Sequence, residues 1–257
     1  MAETALALDH VTFAYPDGTR ALDRLTLSVQ ATRSIGIIGP NGAGKTTLFG
    51  LASGLLSPSS GSVRVFGRTH GDENGVQREI GYVFQETDDQ LFCPTVFEDV
   101  AFGPTNFGVA KADIAERVRD SLRRVDLAGY EERVPHHLSS GERRRVAIAT
   151  VLSYGPRLLL LDEPTSDLDP RGKSDLARLL LAMNSATRII ASHDLEFVLL
   201  TCDDIVLIEK GRLCAAGLAS QILANEALLA EHGLDPPIGL RGRSAVELDA
   251  LRERARS

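Results

Sequence analysis

Gly39-Pro40-Asn41-Gly42-Ala43-Gly44-Lys45-Thr46 gathers glycines, an amine and a hydroxyl into one short run, with a second hydroxyl at Thr47. Such a run suits a polyanion. Glycines let the backbone curl until successive N–H groups point inward at phosphate oxygens. A helix that starts near Lys45 would aim its positive end at the same point. Lys45 supplies a mobile positive charge for the β- and γ-phosphates, and Thr46 a hydroxyl for Mg²⁺. Residues 39–47 therefore predict the cradle of a nucleoside triphosphate.

Leu158-Leu159-Leu160-Leu161-Asp162-Glu163 is an apolar run that ends in two acids. A buried parallel strand delivers its C-terminal end to the ligand crevice of an α/β sheet. Two carboxylates placed there are costly without a cation to neutralise them. Mg²⁺ held through Asp162, by way of a water, resolves that cost. Glu163 is then positioned to polarise an attacking water.

The elements that must position these groups follow from periodicity. Alternating apolar residues at Leu6, Leu8, Val11 and Phe13, and again at Leu25, Leu27 and Val29, predict two strands of an antiparallel sheet with one wet face. Ser34 to Ile38 predicts a compact buried strand running into Gly39, followed by a helix from Lys45 to Leu56. Short strands are expected from Ser62 to Phe66 and from Glu79 to Phe84. From Thr95 to Tyr154 the character is helical. Ile114, Val118, Leu122 and Val125 set a 3.6-residue period across a helix from Ala112 to Leu127. Ser139 starts a second helix, to Leu152. After Gly155-Pro156 the β/α alternation returns: strand Leu158–Leu161, helix Pro170 to Met183 with proline at its start, strand Arg188 to Ser192, helix Leu195 to Thr201, strand Ile205 to Glu209. A helical block is thus inserted into an α/β core whose sheet is mainly parallel.

The 257 residues suffice for one large domain or two packed lobes, with 43% hydrophobic and 25% charged residues. A net charge of −7 argues against a nucleic-acid binder. Cys93, Cys202 and Cys214 lack the paired spacing of a zinc site, read as small packed thiols and point to a reducing compartment. Met1 to His10 has no signal-peptide pattern, and no apolar run approaches the ~20 residues that span a bilayer, so a membrane role would come through a partner.

Further motifs identify the chain as resembling the ABC ATPases. Leu138-Ser139-Ser140-Gly141-Glu142 resembles their signature motif and precedes Asp162 by the usual spacing. Ser166-Asp167-Leu168-Asp169 looks like the D-loop, His193 like the switch histidine, and Gln85 like the Q-loop glutamine. Tyr15 sits where the family places an aromatic that stacks on adenine. Two departures stand in the signature: Ser140 replaces a glycine, and Glu142 replaces the commoner glutamine. The resemblance covers Leu6 to about Gly233. It implies a P-loop NTPase core of α/β class with a mostly parallel sheet, an N-terminal antiparallel β subdomain and an inserted helical subdomain. The ATPase domain would span residues 1–235, with the core at 1–88 and 156–220 and the helical part at 89–155. Residues 236–257 form a tail, expected as a short amphipathic helix or a loose end.

A narrower resemblance lies in Phe84-Gln85-Glu86-Thr87-Asp88-Asp89-Gln90-Leu91-Phe92, continuing through Pro94 to Pro104, and in the stretch from Ala227 to Ile238. These segments look like the ATPases of energy-coupling-factor importers of cobalt, nickel, biotin and other vitamins. The implied reaction is ATP hydrolysis with ATP and Mg²⁺ bound. Glu163, His193 and Gln85 would be catalytic. Thr46, Gln85 and Asp162 would hold the metal. Tyr15, Gly39 to Thr47, and a second subunit's Ser139, Gly141, Glu142 and Asp169 would enclose the nucleotide. The implied partners are a second ATPase subunit, identical or related, a transmembrane coupling subunit and a substrate-binding membrane subunit. The chain would sit peripherally at the cytoplasmic face of the cell membrane and bind no nucleic acid. The competing readings are another ABC transporter, or a non-transport ABC ATPase acting on nucleic acid. The second is disfavoured because the interval from Lys45 to Asp162 is too short for the coiled coil of the DNA-repair members. Arg143-Arg144-Arg145 reads as a solvated or ion-paired helix face, since consecutive helical residues point ~100° apart. His136-His137 reads as loop surface, and Glu86 to Asp89 as a solvated acidic loop.

Overall fold

The computed structural model describes residues 3–70, 76–183 and 186–237. Two sheets organise it. Strands β1 (Thr4–Ala14), β2 (Arg20–Gln30), β4 (Ser60–Val65) and β5 (Arg68–Thr69) form an antiparallel sheet in the order β2-β1-β4-β5. Strands β3 (Ser34–Ile38), β6 (Ile80–Val83), β7 (Leu158–Asp162), β8 (Thr187–Ala191), β9 (Asp204–Glu209) and β10 (Arg212–Leu218) form the central sheet in the order β10-β9-β3-β8-β7-β6. All of its pairings are parallel except that of β10 with β9.

Alternation along the central strands explains their unbroken apolar sequence. Leu158 and Leu160 of β7 face one core with Ile35, Ile37, Ile189 and Val206. Leu159 and Leu161 face the other with Ile38, Ile190 and Leu207. A strand buried on both faces has no polar side to write, and burying each leucine contributes about 1.5–3 kcal/mol. The antiparallel sheet and helix α1 (Lys45–Ser53) cover the first face. Helices α5 (Pro170–Ala182) and α6 (Leu195–Thr201) cover the second, together with the inserted helices α2 (Val96–Asn106), α3 (Lys111–Arg124) and α4 (Ser140–Leu152). The inserted helices pack mutually and lie between β6 and β7 in the chain.

Several boundaries move for local reasons. The helix expected to reach Leu56 stops at Ser53, where Gly54 takes a left-handed φ of 81° and the chain turns back to bond the Leu56 N–H to Gly50 O at 2.9 Å. The helix expected to reach Leu127 ends at Arg124. Asp126 turns at a φ of 57°, and the Leu127 N–H returns to Leu122 O at 2.9 Å. Val125 and Leu127 are therefore buried by the turn and extend the apolar period beyond the helix. Strand β10 and the short helices α7 (Ala219–Ala224) and α8 (Glu226–Glu231) were not expected from the sequence. Most β10 side chains are exposed, as befits an edge strand, so it carries no apolar alternation. Of the tail expected at residues 236–257, Pro236 and Pro237 are in neither helix nor strand, and 238–257 lie outside the described residues.

Helix α6 lies close to β3 because Gly36 has no side chain. A Cβ there would come within 2.4 Å of the Val198 Cγ1, with Cys202 Sγ and Ile205 Cγ1 at 3.4 and 3.5 Å. Val198 is buried and β-branched, so it has little room to yield. Gly36→Ala is expected to destabilise the fold by ~1–3 kcal/mol, read as a lowered urea midpoint. An unchanged midpoint would disprove this account of the packing.

Candidate functional site

Four adjacent parallel strands, β3, β8, β7 and β6, end on one edge of the central sheet. The chain that leaves each of them supplies one part of a cleft of about 670 Å³. Residues 39–47 follow β3, Ser192 and His193 follow β8, Asp162 and Glu163 close β7, and Gln85 follows β6. The lining includes Tyr15, Asn41 to Thr47, Gln85, Asp162, Glu163, Ser166 and His193.

The loop after β3 is held by its backbone. Gly44 caps α1 at a φ of 104°, and a Cβ there would meet Ala21 O at 2.6 Å. Gly39 is tighter still, with Ile208 O 2.0 Å from where its Cβ would stand. The Gly211 N–H, in the turn between β9 and β10, donates to Ala43 O at 3.0 Å. Lys45 folds back so that its Nζ donates to Gly39 O at 2.8 Å and Pro40 O at 3.2 Å. Burial pushes its ammonium below the usual value, while Glu163 and Asp162 pull it upward. The α1 N-terminus and this amine make a ready anion site.

Asp162 is 1% exposed. Burial raises its carboxyl above the ordinary range, and a hydrogen bond with the Thr46 side chain partly offsets this. The Tyr82 hydroxyl donates to its Oδ2 at 3.3 Å. A buried carboxylate beside a threonine hydroxyl, with the Gln85 amide in the same cleft, is a donor set of hard oxygens that fits Mg²⁺.

Glu163 adopts a left-handed φ of 44°, a strained setting for a residue with a side chain. Its N–H is fixed by Ala191 O at 2.8 Å. Oε2 collects the Ser192 hydroxyl at 3.3 Å, the His193 backbone N–H at 3.2 Å and the His193 Nδ1 at 2.7 Å. Oε1 is left for the cleft. The Tyr15 hydroxyl meets Thr47 Oγ1 at 2.9 Å, and its ring stands edge to face on Phe13 at 5.0 Å.

Ser139, Gly141, Glu142 and Asp169 line a second cleft with Ser140, Asp167 and Arg171. Ser139 caps α4 in a reciprocal box with Glu142: the Glu142 N–H donates to Ser139 Oγ, and Ser139 N and Oγ donate to Glu142 Oε2 at 2.9 and 2.8 Å. The Tyr130 hydroxyl donates to Oε1 at 2.7 Å. Tyr130 first, then Ser139, hold the Glu142 carboxyl down at about 2. Both of its oxygens are thus occupied by α4 capping and by Tyr130, and the charge is fixed negative. The start of α4, where a helix has N–H groups without intrahelical partners, lies on this cleft. Asp169 caps α5 by accepting from the Gly172 N–H at 2.7 Å.

Sequence reasoning missed Arg144. It is 3% exposed, and its guanidinium donates to the carbonyls of Phe84 and Gln85, both at 2.6 Å. The expected solvated or ion-paired face is therefore wrong for Arg144, because α4 turns this residue inward to bind backbone. Arg143 does pair, with Asp88 at 3.3 Å. Gln90 was also overlooked. Its Oε1 accepts from the Phe84 N–H at 3.1 Å, and its Nε2 donates to Ala147 O and Thr150 Oγ1 on α4. Neither role has a signal in a single sequence.

The family described as ABC transporter matches residues 22–166. The energy-coupling factor transporter ATP-binding protein EcfA of Carboxydothermus hydrogenoformans is 42% identical over 238 residues, covering 91% of this chain and 88% of the relative. The structure of cbiO1 from Clostridium perfringens, part of the ABC transporter complex cbiONQ, aligns with a TM-score of 0.79 at 33% identity, over 98% of this chain and 99% of that one. A dimeric ATP-binding cassette in a post-hydrolysis state, bound to ADP and Pi, aligns with a TM-score of 0.76 at 25% identity, over 83% of this chain and 98% of that one. With a phosphate cradle, a paired-acid strand end and these relatives, the chain is an ATP-binding protein and ATP hydrolase that belongs to the ABC transporter family, among the energy-coupling factor ATPases.

Proposed function

We propose that this ATPase energises a membrane importer of the energy-coupling-factor type, taking up cobalt or nickel ions or a vitamin such as biotin, and that it works as one of two cassettes packed head to tail. The observation that carries the pairing is the separation of the two clefts. The phosphate loop lines one and the start of α4 lines the other, and the two clefts share no lining residue. ATP would be gripped by residues 39–47 of one cassette and by Ser139 and Gly141 of its partner, with Asp169 reaching across the interface. Glu142 contributes by fixing the cap that presents those N–H groups.

Mg²⁺ would be held by Thr46, Asp162 and Gln85, and when bound it would neutralise charge on the β- and γ-phosphate oxygens. Glu163 would accept hydrogen-bonding and then a proton from water at Oε1, because Oε2 is committed to Ser192 and His193. His193 keeps Glu163 in register and offers its exposed ring to the γ-phosphate. Tyr15 would stack on adenine. Gln85 reports on the metal and water, and Arg144 and Gln90 pass its position to α4.

A membrane subunit would dock beside Gln85 to Gly103. There Phe92 and Phe102, 60% and 50% exposed, meet edge to face at 5.0 Å over a groove that also holds Asn106 and Tyr154. Exposed paired aromatics of this size are typical of binding surfaces. Among the described residues no helix is long and apolar enough to cross a membrane.

Glu163→Gln is expected to keep ATP binding and ATP-dependent dimerisation while lowering kcat roughly 10²–10⁴-fold. Phosphate release and light scattering measure the two effects, and normal turnover would discard Glu163 as the base. Lys45→Ala should lose affinity for a fluorescent ATP analogue, and undiminished binding would remove residues 39–47 as the phosphate site. Phe102→Glu should retain soluble ATP hydrolysis and lose co-purification with membrane subunits. Those subunits are to be identified by mass spectrometry after mild detergent extraction. Retention of the same subunits by the variant would count against this docking face, and their absence from the wild-type preparation would count against the importer.

A further inference from the structure

Far along the chain from the motifs, three side chains of metal-binding type converge. Glu209 ends β9, Cys214 lies on β10 and His232 follows α8. Their carboxylate, thiol and imidazole ligand atoms all lie within 4.8 Å of one another. His232 Nδ1 stands 2.6 Å from Glu209 Oε2, with the imidazole only 12% exposed. Cys214 is exposed and leaves the sulfur side open to solvent. The fold gathers these groups from three elements, so the spacing of cysteines in the sequence gave no sign of them.

We propose that Glu209, Cys214 and His232 form a binding site for a divalent transition ion of the Zn²⁺ class, with water as a fourth ligand. One thiolate, one imidazole and one carboxylate suit a borderline-soft ion and are a poor match for Mg²⁺ or Ca²⁺, which prefer all-oxygen sets. The geometry needs little change. Nitrogen and oxygen ligands at ~2.0–2.2 Å in a tetrahedron stand roughly 3.3 Å apart. The 2.6 Å His232–Glu209 contact therefore opens by less than about an ångström. Lys210 Nζ lies 3.3 Å from the other carboxylate oxygen, Oε1, and its side chain is 87% exposed, free to swing away from an arriving cation.

Binding has a defined proton balance. Cys214 gives its thiol proton to solvent and binds as thiolate. His232 offers the Nδ1 lone pair, any proton held there passing to Nε2 or to solvent. Because the thiol proton must leave, the affinity rises with pH. The bound ion would clip α8 to the β9–β10 hairpin.

The test uses the untagged full-length protein without nucleotide, titrated with Co²⁺ and then with Zn²⁺ as competitor. The expected result is a near-ultraviolet thiolate-to-cobalt charge-transfer band that saturates at one ion per chain and is displaced by Zn²⁺. Cys214→Ser should abolish the band. His232→Ala should weaken Co²⁺ binding by about 100-fold or more, at or beyond the loss seen when only an outer-shell partner is removed. Cys214→His should restore stoichiometric Zn²⁺ binding by calorimetry without the band, which separates loss of a ligand from loss of the fold. No band in the wild-type protein, or a band that survives in Cys214→Ser, would overturn the site. Neither result touches the nucleotide cleft, whose residues lie elsewhere.

Discussion

One buried ammonium facing two buried carboxylates is the constraint on which the rest of this molecule depends. Lys45 and Glu163 are each 8% exposed and Asp162 is 1% exposed. Such a cluster, short of one positive charge, is unfavourable in a low-dielectric setting unless backbone dipoles and a cation compensate. The parallel sheet meets this demand by ending four neighbouring strands at one edge. Thr46 and Tyr82 engage one acid, and the turn after β8 engages the other. Cleft, capped helix and strained Glu163 backbone are parts of one arrangement.

The helical insert connects to this arrangement through polar contacts with backbone. Arg144 binds the carbonyls of Phe84 and Gln85, and Gln90 bridges Phe84 to the middle of α4. Helix α4 also begins at the capping box that presents the second cleft. A displacement of Gln85 would thus be carried to α4, whose start is the surface proposed above to meet a partner cassette. The aromatic groove on α2 belongs to the same packed block. The phosphate cleft and the aromatic groove therefore share one packed intermediary.

Much of this was legible in the residue string, because chemistry restricts residue type most severely where phosphate and metal bind. The glycine–lysine run and the leucine strand with its acids announced the core of the cleft. They also announced a parallel sheet, since only doubly buried strands read as unbroken leucine. The antiparallel strands followed from alternation. What escaped was set by direction, which spacing does not encode. Arg144 differs from Arg143 and Arg145 only in the way it points on α4. Val125 and Leu127 imitated a longer helix because a turn also buries apolar groups. Strand β10 displays solvent-facing residues of no fixed pattern, and Glu209, Cys214 and His232 become neighbours only after folding.

The phosphate loop leans on main chain. Ile208 O occupies the space beside Gly39, and the Gly211 N–H holds Ala43 O. Main-chain props are indifferent to which side chains decorate them. Apart from Glu209 and Cys214, the β9–β10 hairpin can therefore accept wide change in its outward residues, by drift or by design, and still shape the loop. Only its path is fixed, and with it the glycines on both sides of the contact. The hairpin's outer surface is in this sense an adaptable face mounted directly behind the catalytic machinery.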